Sequence, residues 1–138
     1  MKLLLIEDNQ EDVEIVRRLA RSSSVPVELT VFDNGRAAID ALTSGHAAPD
    51  LVLLDINLPG ERGTSVLERM KADARLRDIP VIIVSGSEVD EDILQGMRLG
   101  AHSHIVKPIQ RGDFAWIASS VMRLRPRLAA LLGYQVGL

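Results

Sequence analysis

The sequence predicts an α/β chain built as a doubly wound, five-stranded parallel sheet with helices on both faces. Five short runs rich in Leu, Ile and Val, each bounded by turn residues, read as strands. Four of them lack polar–apolar alternation, as strands covered on both faces do. Between the runs the apolar spacing changes to the helical period, and a strand–helix alternation of this kind implies parallel neighbours joined by crossovers.

In chain order, the first run is residues 3–6. Val13, Val16, Leu19 and Ala20 then recur at helical steps, with Asp8 or Asn9 available as N-cap. The second run, residues 27–32, reads Val-Glu-Leu-Thr-Val-Phe and alternates, which predicts the sheet edge. Asp33-Asn34-Gly35 makes a turn, Ala37, Ala38, Ala41 and Leu42 mark a second helix, and Gly45 stops it. The third run is residues 51–54, followed past Gly63 by a helix marked by Val66, Leu67 and Met70 that closes before the extended Ile79-Pro80 pair. Residues 81–84 form the fourth run, and Ile93, Leu94 and Met97 mark a helix ending near Gly100. After the fifth run, residues 105–106, a fifth helix carries Phe114, Ile117, Ala118, Val121 and Leu124. Pro126 interrupts that helix, yet Leu128, Leu131 and Leu132 continue an apolar stripe. The expected organisation is one domain over 1–125 and a C-terminal extension over 126–138.

The composition narrows the function classes. At 138 residues, with 46% hydrophobic and 25% charged residues, the chain is expected to bury roughly two-thirds of its unfolded surface. A formal net charge of -3, with no basic stripe, argues against a nucleic-acid partner. Cysteine is absent, which removes disulfides and thiolate metal sites. Residues 3–6 are too short for a signal-peptide core, and no run approaches membrane-spanning length. A cytoplasmic location, with no membrane partner, is the expectation.

The strand ends carry the chemistry. Glu7-Asp8, Asp55, Ser85 and Lys107 each sit where an apolar run meets a loop. In a parallel sheet those ends share one edge and converge on one crevice. Taken alone, Asp8 reads as a helix cap, Asp55 as a turn residue and Ser85 as a turn or cap residue. Two adjacent acids at the end of a buried strand repel each other, however, and a divalent cation relieves that repulsion. Mg²⁺ takes about six oxygens, so Asp8, Asp55 and the carbonyl of Asn57 with waters and a phosphate oxygen suit its shell. Lys107 lies between Val106 and Pro108, poorly placed for a solvated face, with Asp55 as its natural partner. Gly86 allows close backbone approach beside Ser85. His102 and His104 lack a third ligand for zinc, and Phe114 and Trp116 read as core or partner-contact residues. Glu61 and Arg62 follow the loop at Gly60 and are placed near the crevice.

The set Ile6-Glu7-Asp8, Leu54-Asp55-Ile56-Asn57-Leu58-Pro59-Gly60, Val84-Ser85-Gly86 and Val106-Lys107-Pro108 closely resembles the receiver domain (CheY-like, flavodoxin-like in fold) of two-component response regulators, over about residues 2–124. The resemblance implies that Asp55 is the phosphoacceptor, that Glu7, Asp8, Asp55 and Asn57 bind Mg²⁺, that Lys107 contacts the phosphoryl group and that Ser85 is the hydroxyl switch. It also implies a signalling protein, catalysing only its own phosphorylation and dephosphorylation, whose partner is a sensor histidine kinase. One departure is His104, which stands where the family usually carries the Tyr or Phe of the switch, so output coupling is expected to differ. The stretches Glu7-Asp8-Asn9-Gln10-Glu11-Asp12-Val13 and Arg77-Asp78-Ile79-Pro80-Val81 resemble small stand-alone receivers partnered with bacterial phytochrome histidine kinases. Such receivers commonly dimerise.

A homodimer on the face of the fourth helix, fifth strand and fifth helix is therefore expected, strengthened by Leu128, Leu131, Leu132, Tyr134, Val136 and Leu138. The competing expectation is that the tail folds back on its own domain. Two functional rivals stand beside the phosphoacceptor: a degenerate receiver or flavodoxin-like binder that takes no phosphate, and a phosphatase working through an aspartyl phosphate. The first is opposed by the intact acid set and the second by Asn57, which occupies the place of the second acid.

Overall fold

A computed structural model describes residues 1–86 and 91–135, apart from the Asp92 side chain. Its main sheet contains β1 (Lys2–Ile6), β2 (Glu28–Phe32), β3 (Leu51–Asp55), β6 (Val81–Ser85) and β7 (Ser103–Val106), in the order β2-β1-β3-β6-β7. All four pairings are parallel. The helices are α1 (Gln10–Arg21), α2 (Gly35–Ser44), α3 (Gly63–Ala72), α4 (Glu91–Arg98), α5 (Arg111–Leu124) and α6 (Pro126–Leu131). As the alternation of the second run predicts, β2 is an edge strand and is only partly covered, whereas every residue of β3 and β6 is buried.

Strand side chains alternate between the two faces and so divide the core. Leu3, Leu5, Leu53, Ile82 and Val84 meet Val13 and Val16 of α1 and Phe114, Ile117 and Val121 of α5. Leu4, Ile6, Leu54 and Ile83 meet Leu42 of α2, Val66, Leu67 and Met70 of α3, and Ile93 of α4. Caps follow the local chemistry: Asn9 Oδ1 accepts from the Asp12 N–H at 3.1 Å, Asn34 Oδ1 from the Ala37 N–H at 2.8 Å, and Gly45 closes α2 with φ 80°.

Three features differ from the sequence expectation or extend it. A small antiparallel hairpin, β4 (Asn57–Leu58) and β5 (Glu61–Arg62), forms where only a loop was expected. Its turn is Pro59-Gly60, and Gly60 has φ 72°, as the third residue of a type II turn requires. Second, Leu94 and Met97 mark the helical period of α4 but are 59% and 38% exposed, leaving Ile93 as the buried residue of that trio. Third, the tail packs on its own domain. Pro126 begins α6 at its first turn, Ala129 is buried, and Leu128, Leu132 and Tyr134 pack on the α1/α5 side of the core, whereas Leu131 is 84% exposed. Val136 and Leu138 lie outside the described residues.

Arg125, between α5 and α6, donates from Nη1 to Asp50 Oδ1 at 2.7 Å, and the Lys2 N–H donates to Asp50 Oδ2 at 2.7 Å. The buried Asp50 thus joins the start of β1, the start of β3 and the root of the tail.

Candidate functional site

The parallel sheet delivers the strand-end residues to one edge, as its topology requires. Glu7 and Asp8 follow β1, Asp55 and Ser85 end β3 and β6, and Lys107 follows β7. Glu7, Asp55 and Ser85 are buried, while Asp8 and Asn57 are exposed. One carboxylate oxygen each from Glu7, Asp8 and Asp55 lies within 4.8 Å of the others. An all-oxygen, triply acidic donor set, with two members removed from water, fits a hard divalent cation far better than it fits an empty crevice.

Lys107 closes the crevice. Its Nζ lies 2.9 Å from Asp12 Oδ2, 3.0 Å from Glu7 Oε1 and 3.4 Å from Asp55 Oδ2. Asp12 is the contact that sequence reasoning missed, because an acid in the first turn of a helix reads as an ordinary partner of the helix dipole. The one signal available was its place four residues after Asp8, one helical turn further on. Burial works against the Lys107 ammonium, but hydrogen bonds to Asp12 and Glu7 and the charge of Asp55 prevail and raise its pKa above that of an ordinary lysine. Glu7 moves up to about 8, first because it is buried and then because it shares a hydrogen bond with Asp55; Lys107 opposes that rise. A bound cation would reverse the balance by favouring the ionised carboxylate.

The backbone fixes these groups. Asp55 Oδ1 accepts the Asn57 N–H at 3.0 Å, and Glu7 Oε1 accepts the Asn9 N–H at 3.2 Å. A Cβ at Gly63 would stand 2.5 Å from the Asp55 carbonyl oxygen and 2.7 Å from Ile56 Cα, so only glycine lets α3 start against the end of β3. Ser85 has a relative exposure of 0%, its carbonyl accepts the Lys107 N–H at 2.6 Å, and the Lys107–Pro108 peptide is cis.

Other sequence-singled residues fall elsewhere. Glu61 pairs with Arg69 of α3 instead of facing the acids. His104 is exposed on β7, and His102 stacks on Trp116 with ring centroids 6.4 Å apart. Phe114 is core, and Trp116 is 42% exposed. A cavity of about 960 Å³ opens at the opposite edge of the sheet, lined by Met1, Lys2, Leu42, Asp50, Arg125 and Leu128 among others, and includes none of the strand-end acids.

Residues 3–117 match the response regulator receiver domain. The response regulator Rcp1 of Synechocystis sp. is 30% identical over 110 residues, covering 76% of this chain and 75% of that one. Among solved structures, the phosphorylated cyanobacterial phytochrome response regulator RcpA aligns with a TM-score of 0.75 at 30% identity, covering 89% of this chain and 91% of that one. The bacteriophytochrome response regulator RtBRR aligns with a TM-score of 0.76 at 26% identity, covering 99% and 98%. The Mn²⁺-bound form of Rcp1 aligns with a TM-score of 0.74 at 26% identity, covering 95% and 94%.

Proposed function

The chain belongs to the response regulator receiver family, and from that premise we propose that it takes a phosphoryl group onto Asp55 from the phosphohistidine of a sensor kinase. It is a response regulator, a signalling protein whose output is phosphorylation-dependent interaction. The observation that carries the Asp55 assignment is its setting: a strand-end carboxylate within 4.8 Å of two other acids and with a lysine ammonium 3.4 Å from Oδ2. In the proposed step an Asp55 carboxylate oxygen attacks phosphorus, the phosphorus–nitrogen bond breaks, and its electron pair returns to the kinase imidazole.

Glu7, Asp8, Asp55 and the Asn57 carbonyl would hold Mg²⁺, which when bound neutralises charge on the transferring group. Lys107 neutralises charge from the other side. Ser85 then supplies a hydroxyl to the phosphoryl oxygens, and His104, exposed on β7, takes the switch position. The resulting shift reweights two conformations of the face formed by α4, β7 and α5. Phosphoryl chemistry is confined to the protein's own modification, and the exposed Asn57, in place of a second acid, is what disfavours turnover of external esters.

The kinase is assigned to the phytochrome class because the similar proteins RcpA and RtBRR are a phytochrome and a bacteriophytochrome response regulator. With a sensor kinase as partner, the proposed location is the cytoplasm, and no nucleic-acid or membrane partner is proposed. Among the described residues, no helix is long and apolar enough to cross a membrane. We further assign a homodimer to the α4–β7–α5 face, which exposes Leu94, Met97, Trp116 and Leu124. In the extension over 126–138, the part up to residue 135 serves first to cover its own domain, since Leu128, Leu132 and Tyr134 pack there.

Exposure to acetyl phosphate with Mg²⁺, followed by intact mass, tests the central assignment. The wild type gains one phosphoryl group and Asp55→Asn gains none. Undiminished labelling of the variant would refute Asp55 as the acceptor.

A further inference from the structure

Lys107 has one ammonium and three carboxylates competing for it. Asp12 Oδ2 is the nearest at 2.9 Å, ahead of Glu7 Oε1 at 3.0 Å and Asp55 Oδ2 at 3.4 Å. Asp12 does not belong to the group formed by Glu7, Asp8 and Asp55, whose carboxylate oxygens lie within 4.8 Å of one another. It stands on the first turn of α1, where Asn9 caps its backbone N–H and leaves its side chain to the lysine. The Lys107 side chain is 20% exposed and that of Asp12 27%, so the pair is partly shielded from water and salt.

We propose that Asp12 is a positioning residue of the phosphoryl site: its carboxylate holds the Lys107 ammonium toward α1 and competes for it with the phosphoryl group on Asp55. The inference rests on the reading of Asp55 as phosphoacceptor. Lys107 at 3.4 Å from Asp55 already lies over a carboxylate that is only 4% exposed, so an arriving phosphoryl group must share that ammonium or draw it away. With Asp12 present, part of the electrostatic gain of phosphorylation is spent on loosening the Asp12 bond; without it, the ammonium is free to serve the phosphoryl oxygens in full. The same carboxylate stands outside the cluster of Glu7, Asp8 and Asp55, so phosphoryl affinity and cation affinity should respond differently to its removal.

The experiment measures two affinities by NMR titration of the folded full chain: Mg²⁺ alone, and beryllofluoride at saturating Mg²⁺ as the phosphoryl mimic. Wild type, Asp12→Asn, Asp12→Ala and Glu11→Gln are compared. Glu11 is an exposed acid on the same helical turn and controls for the general loss of negative charge. Asp12→Asn and Asp12→Ala are expected to bind beryllofluoride about fivefold to tenfold more tightly, the scale of one charge-assisted hydrogen bond at a partly shielded site. Glu11→Gln is expected to stay near wild type, and Mg²⁺ affinity to stay within about twofold throughout. Unchanged or weaker beryllofluoride binding in both Asp12 variants overturns the proposal. So does an equal gain in Glu11→Gln, which would make the effect one of general field, or a parallel gain in Mg²⁺ affinity, which would place Asp12 at the cation. Failure of the wild type to bind beryllofluoride at Asp55 removes the phosphoacceptor reading and this inference with it, whereas wild-type binding without an Asp12 effect removes this inference alone.

Discussion

Arg125 Nη1 lies 2.7 Å from Asp50 Oδ1, so the end of α5 is tied to the approach of β3 at the edge of the sheet opposite the acids. Asp50 is buried, and a buried carboxylate stripped of its cation retains the desolvation cost. Arg125→Ala should therefore destabilise the fold by about 1–2 kcal/mol, less than for a fully buried pair because Arg125 itself is half-exposed. Urea unfolding measures it. Adding Asp50→Asn should recover part of the loss, and strictly additive losses would show that the pair contributes nothing.

Glu7 gives the metal-free protein a pH dependence of definite sign. Unfolded, its carboxyl ionises near the ordinary 4.5; folded, burial and Asp55 raise that to about 8. The folded state binds the extra proton between those values, so stability is fully present below about 4.5 and falls as pH rises through about 8. Glu7→Gln should flatten that decline. Mg²⁺ affinity should rise with pH over the same window, with proton release on binding, because the cation needs the carboxylate ionised. Calorimetry in two buffers of different ionisation enthalpy counts the protons; none released at neutral pH contradicts the assignment.

Gly63→Ala puts a methyl carbon where the Asp55 carbonyl already stands, 2.5 Å away. The end of β3 must move, at a cost of roughly 1–3 kcal/mol. Phosphorylation should fall along with stability, because the displaced residue is the proposed acceptor. A variant that keeps both wild-type stability and wild-type labelling by acetyl phosphate would show that the backbone there yields freely.

Sedimentation of the full chain and of a version ending at Arg125, each with and without beryllofluoride and Mg²⁺, tests the dimer. Leu94 and Trp116 are the exposed anchors of the proposed face, so Leu94→Asp should dissociate it. A full chain that stays monomeric at about tens of micromolar in both states ends the proposal.

The fold was legible because period and punctuation agreed. The runs around Leu53 and Ile82 have no polar residue to turn outward, and Asn9 and Gly45 mark helix ends with side-chain or left-handed backbone chemistry. The convergence of Glu7, Asp8, Asp55 and Lys107 was legible for the same reason, as a consequence of parallel strands. Asp12 and Asp50 were not, because each owes its role to a partner 95 or 75 residues away that no local pattern announces. The hairpin of Asn57-Leu58 with Glu61-Arg62 was missed because strands of two residues have no period to detect. Leu94 and Met97 carried a true helical signal that could not distinguish a core stripe from an exposed one.

The 2.6 Å bond from the Lys107 N–H to the Ser85 carbonyl has a mechanical meaning. The hydroxyl and the ammonium proposed to meet the phosphoryl group ride on neighbouring strands whose ends are stitched together, with Ser85 opposite Val106 in the register. Neither can travel far without pulling the other. The backbone beneath the two groups is thereby coupled as a single two-strand corner, while each side chain keeps its own rotations. Substitutions at 85 and 107 should be non-additive in their effect on output, because both side chains are proposed to serve the same phosphoryl group.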